Sequence, residues 1–101
     1  MGTRLELHEV LCGVLGSRNV YYQPPESIKM NYPAIVYSRD NVSNRHGDNI
    51  PYMQSVSYQV TVIDKDPDSK IISDIAKLPY CRFNRHFTSD NLNHDVFTLY
   101  Y

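Results

Sequence analysis

An α+β domain is the fold this sequence predicts: a mainly antiparallel sheet of about five strands with two helices packed on one face, in the order α-β-β-β-α-β-β. Three observations carry the prediction. Two apolar stripes at helical spacing stand near residues 3–15 and 67–78. Short β-branched and aromatic segments with period-two alternation lie between and after them. Prolines, glycines and capping residues fall where those segments have to stop.

The first helix opens on Thr3, with Glu6 three residues on, the spacing of a capping box that satisfies free amide donors. Leu7, Leu11, Val14 and Leu15 form its apolar stripe, and Gly16 stands where a left-handed cap is needed. Asn19 to Gln23 is a short strand at a sheet edge, stopped by Pro24-Pro25. Residues 24–33 lack periodicity and hold three prolines, so they form an ordered connection pinned by Ile28, Met30 and Tyr32.

Ala34 to Ser38 is a strand by composition, and Met53 to Ile63 is the longest alternating run. In that run Val56, Tyr58, Val60 and Val62 share one face while Ser55, Ser57, Gln59 and Thr61 share the other. The polar stretch between these strands is longer than a tight hairpin turn needs, and predicts a projecting loop or hairpin at about residues 39–52. Asp66-Pro67 supplies an N-cap with proline at the first helical position, and Ile71, Ile72, Ile75 and Leu78 make the second stripe, which ends at Pro79. Tyr80 to Phe87 alternates with Arg85 as its misfit, 88–94 is rich in turn residues, and Asp95 to Tyr101 closes as a strand.

Composition bounds the function. At 101 residues the chain has the common size of one domain with one core, read here as residues 1–101. Ten Lys and Arg balance eleven Asp and Glu, so a broad phosphate-binding face is disfavoured. No apolar run approaches the roughly 20 residues of a membrane span and no signal-peptide pattern opens the chain, so a soluble protein made in the cytoplasm is expected, with no membrane partner. Cys12 and Cys81 are too few for a disulfide scaffold and are read as reduced.

Four clusters resemble chemistry. Ser89, Asp90, His86 and His94 contain the parts of a nucleophilic triad, but turn chemistry explains them more simply and no strained nucleophile elbow is present. The four histidines and two cysteines show no zinc spacing. Asp64, Asp66 and Asp68 alternate after a strand as in a metal-dependent nuclease or a calcium loop, yet the glycine and distant glutamate of that loop are missing, and helix capping accounts for Asp66. Arg82 and Arg85 with Phe83 and Phe87 imitate a nucleic-acid face without the glycine-rich aromatic motif of RNA-binding sheets, and are read as a strand stacked in the core. No catalytic, cofactor or metal residue is therefore assigned. Nine tyrosines remain, a residue type suited to subunit contacts.

The segments Tyr21-Tyr22-Gln23-Pro24-Pro25, Tyr32-Pro33-Ala34-Ile35-Val36-Tyr37, Tyr58-Gln59-Val60-Thr61-Val62-Ile63-Asp64 and Asp90-Asn91-Leu92-Asn93-His94-Asp95 are similar in pattern to short proteins of tailed bacteriophages. Across nearly its whole length the chain resembles the tail-completion, or tail-terminator, family. The resemblance implies a non-enzymatic virion protein, assembled in the host cytoplasm, that forms a ring, usually of six copies. Such a ring caps the tail tube and joins it to the head, so the implied partners are further copies, the tail tube protein and head-tail connector proteins, with DNA only passing through the lumen. Stoppers and adaptors of the same connector are similar in size, and two helices favour the terminator over the more barrel-like stopper. The competing class is a small nuclease using Asp64, Asp66 and Asp68. Interface residues expected from the sequence are Arg45, His46, Asp48 and Tyr52 in the projecting segment, and Tyr100 and Tyr101 in the last strand, where apolar groups on both faces ask for a cover.

Overall fold

The computed structural model describes residues 3–25, 29–47 and 50–101, and over 41–47 and 50–55 it describes the backbone alone. Its elements are α1 (Arg4–Leu15), β1 (Val20–Tyr22), β2 (Ala34–Gly47), β3 (Ile50–Asp64), α2 (Lys70–Ala76), β4 (Cys81–Ser89) and β5 (Leu92–Tyr100). The strands form one sheet in the order β1-β2-β3-β5-β4, antiparallel throughout except for the parallel β1–β2 pair. This is the α+β architecture that the sequence predicts, with the same element order.

Register explains which side chains meet the helices. Ile35 faces Val62 and Tyr37 faces Val60 across β2 and β3, while Val60 faces Phe97 and Tyr58 faces Leu99 across β3 and β5. Since side chains alternate along a strand, all of these stand on one face. Leu7, Leu11 and Cys12 of α1 and Ile75 of α2 join them in a single buried cluster. The β-branched and aromatic residues that make these strands thus also make the core.

Helix α1 follows its local signals. The Thr3 hydroxyl accepts from the Glu6 amide at 3.2 Å, and Gly16 closes the helix at φ 80° with its N–H donating to Cys12 O. A side chain at Gly16 would meet nothing within 4 Å, so its cost is conformational alone. Gly16→Ala is expected to destabilise the protein by about 1 kcal/mol, read as a lower urea midpoint at unchanged slope.

The second helix departs from expectation. Its cap is Ser69, whose hydroxyl accepts from the Ile71 amide at 3.3 Å, and it spans only seven residues. Asp66 does not cap it. Instead Asp64 Oδ1 accepts from the Asp66 amide at 3.1 Å and Asp66 Oδ1 from the Asp68 amide at 2.9 Å, two successive side-chain turns that consume the residues expected to start the helix.

Tyr37 anchors α1 to the sheet. It is fully buried, with its ring 4.9 Å from Tyr22, 5.7 Å from His8 and 6.1 Å from Tyr58. The Tyr37 oxygen accepts from the Arg4 guanidinium at 3.4 Å, and the same hydroxyl is hydrogen-bonded with His8 Nδ1 at 2.8 Å. Burial raises the Tyr37 pKa above its ordinary 10.0. As pH climbs past that ordinary value the unfolded chain ionises first, so the contribution of this group to stability is whole below it and falls above it. Tyr37→Phe is expected to cost about 1 kcal/mol at neutral pH and to flatten the alkaline loss, measured by denaturant melts between pH 8 and 11.

Candidate assembly interface

The hairpin of β2 and β3 is much longer than the sheet that holds it. β1 pairs with β2 only over Ile35–Tyr37, and β5 pairs with β3 only over Ser57–Asp64. Past those points the two strands pair with each other, Asn41 with Ser57 and onward through Ser43 with Ser55 and Arg45 with Met53 to Gly47 with Ile50. The segment expected to project is therefore a two-stranded ribbon. It contributes to principal extents of 52 × 25 × 23 Å. Register shifts between Arg39 and Asn41 and between Arg45 and Gly47 mark bulges at its root and near its tip.

Of the residues expected at an interface, Arg45, His46 and Tyr52 lie in the ribbon strands, and Asp48 lies outside the described residues. Tyr100 is 45% exposed and pairs with Ser57, and the Tyr101 amide donates to Val56 O at 3.2 Å. The last residues of β5 thus sit at the root of the ribbon, while Arg45, His46 and Tyr52 lie further out towards its tip. Tyr101 is half-buried against the core cluster. Much of the apolar character of β5 has a cause within the chain, because the strand lies between β3 and β4 with Val96, Phe97 and Leu99 buried. The tyrosines divide likewise: Tyr37 and Tyr58 are core residues, while Tyr80 and Tyr100 are exposed.

Strand β4 corrects the sequence reading more sharply. Expected in the core, it is the sheet's outer edge and is exposed from Arg82 to Ser89, with Phe83 at 55% and Phe87 at 40%. A bulge between Phe83 and Arg85 resolves the misfit in its alternation. The extra residue turns Arg85 onto the face away from the helices, which Arg82 already occupies. On that face the Arg85 guanidinium lies 5.6 Å from the centre of the Phe87 ring, which stacks on His94 at 4.6 Å and 12°. Beside them an open groove of about 530 Å³ runs under Pro24, Pro25 and Met30, floored by Val36, Thr61 and Ile63.

The parts of the imagined triad do not converge. His86 Nδ1 donates to Asp95 Oδ1 at 2.9 Å across the hairpin on the helix-side face, whereas His94 points to the other face. Asp90 and Asn91, at φ 54° and 63°, form the two-residue turn between Ser89 and Leu92. Among the described residues no three of His, Cys, Asp and Glu gather as a metal site, and both cysteines are free. Burial pushes the Cys81 thiol up, away from the reactive thiolate. No helix of the described residues is long and apolar enough to cross a membrane.

The class defined by these features is an α+β protein with one covered sheet face, an uncovered edge strand and a projecting ribbon. No protein-family model matches the chain, and no curated protein matches it.

Proposed function

We propose that this protein is a structural component that assembles with copies of itself into a ring, completing the tail tube of a tailed phage and joining it to the head. The observation that supports this reading best is the ribbon of β2 and β3, which leaves the sheet with no third strand of the chain beside it in the described pairings. A two-stranded hairpin is marginal by itself in water, so a ribbon of this length is suited to being held by something outside the subunit. The exposed β4 edge, with Phe83 and Phe87 uncovered, supports the same reading.

In this role the protein acts as a scaffold, without chemistry of its own. Six copies enclose a lumen through which DNA passes, with the tail tube protein on one face and connector proteins on the other. The experiment is electron microscopy of the purified protein with mass measurement in solution, followed by labelling in the virion. Closed rings that label the tube–head junction are expected; a protein that stays monomeric up to millimolar concentration overturns the reading. Labelling on the head side of the junction assigns a stopper or adaptor in place of the terminator.

A further inference from the structure

Two incomplete ladders stand at different places on this subunit. One is β4, a nine-residue strand whose outer edge faces solvent. The other is the ribbon, each of whose strands, among the described residues, has no second partner beyond Arg39 on β2 and Val56 on β3. The remaining edge of the sheet offers little, because β1 spans three residues and Pro24-Pro25 follow it closely. We propose that the β4 edge of one copy pairs with the outer edge of the ribbon of the next, extending one sheet into the other through main-chain hydrogen bonds. The proposal rests on the ring reading above and supplies its contact.

Several observations favour a second copy as the occupant. The chain displays both halves of the missing pairing, and each half is incomplete without the other. The usable lengths are comparable: the run Arg85–Ser89 of β4 spans roughly 17 Å, and the paired ribbon beyond Val56 roughly 20 Å, at about 3.3 Å per residue. The two surfaces differ, so the contact is head-to-tail, the kind that generates a ring when its rotation closes. Pairing would also cover Phe87, which the subunit leaves partly exposed within that stretch of β4.

The hairpin turn tells which β4 groups are free. A two-residue loop closed by Ser89 and Leu92 makes that pair hydrogen-bonded, and the bonded pairs then alternate inward through Phe87 with His94 and Arg85 with Val96. The backbone groups of Thr88 and His86 accordingly point outward. The Arg82 and Arg85 side chains and the bulge are also devices that guard an edge against pairing, so the unbroken run from Arg85 to Ser89 is the stretch available.

Thr88→Pro deletes one outward donor without removing a bond of the β4–β5 ladder, and Thr88→Val keeps the donor as a control. With Thr88→Pro the concentration needed for assembly is expected to rise more than tenfold, while the thermal melt of the monomer moves little and Thr88→Val assembles normally. A second measurement does not depend on that substitution being benign. A variant in which residues 44–54 are replaced by Asn-Gly keeps β4 but lacks the ribbon, so it should be monomeric alone. Mixed with the Thr88→Pro protein, which retains its ribbon, it should form one-to-one dimers by native mass spectrometry and no ring. Rings of Thr88→Pro at the unaltered concentration, or failure of the mixture to pair, overturn this contact while the ring reading stands. Absence of assembly in the unaltered protein overturns the ring reading itself.

Discussion

Tyr37→Ala is expected to remove about 3–5 kcal/mol of stability, the range for truncating a large buried aromatic side chain. For a domain of this size that corresponds to a melting temperature lower by roughly 15 to 30 °C. The effect is large because one residue serves two elements. Its ring fills the centre of the cluster among Tyr22, Tyr58 and His8, and its hydroxyl links Arg4 and His8 of α1 to β2. Calorimetry of the two Tyr37 variants separates the terms: Tyr37→Phe keeps the ring and loses only the hydrogen bonds, so most of the cost should appear with alanine alone. A Tyr37→Ala protein melting within a few degrees of the unaltered one would show that the cluster is not the anchor of α1.

The second large effect concerns assembly, and has the opposite pattern. Replacing residues 44–54 by Asn-Gly joins Ser43 to Ser55, an existing cross-strand pair, with a turn dipeptide suited to a two-residue hairpin. The residues that β3 is described as giving to the buried cluster, Tyr58, Val60 and Val62 with Val56 packed against it, are all kept in this variant. The melting temperature is expected to stay within a few degrees, whereas rings should disappear even at concentrations a hundredfold above those the unaltered protein needs. Light scattering and calorimetry on the same samples read both quantities. Loss of folding would make the ribbon a structural part of the subunit; unchanged rings would remove it from the interface.

Local chemistry made much of this fold legible. Thr3, Glu6 and Gly16 bounded α1, because caps and a left-handed glycine act within a few residues of themselves. The alternation of Val56, Tyr58, Val60 and Val62 located the core face of β3, since period two is a property of any strand wherever it lies in the sheet. The start of α2 was misread for a reason equally local: aspartates that can cap a helix can also close turns, and Asp64 and Asp66 do the latter.

By itself, then, the sequence determined the element order, the apolar stripes of the helices, the core face of β3 and the α+β class, all of which rest on periodicity and short-range hydrogen bonding. Tertiary structure alone decided which strands are neighbours. Alternation in Tyr80–Phe87 is the same for a central strand as for an edge, and only the order β1-β2-β3-β5-β4 exposes Phe83 and Phe87. The ribbon is a second instance. Residues 39–52 carry too few apolar side chains to announce a strand, yet the backbone pairs on as far as Gly47 with Ile50, because β2 and β3 are already in register and each further pair satisfies two main-chain groups at little cost in closing the loop. Side-chain pattern reports burial, whereas the backbone ladder forms between main-chain groups that every such residue carries, so where the ladder alone extends a strand the pattern falls silent.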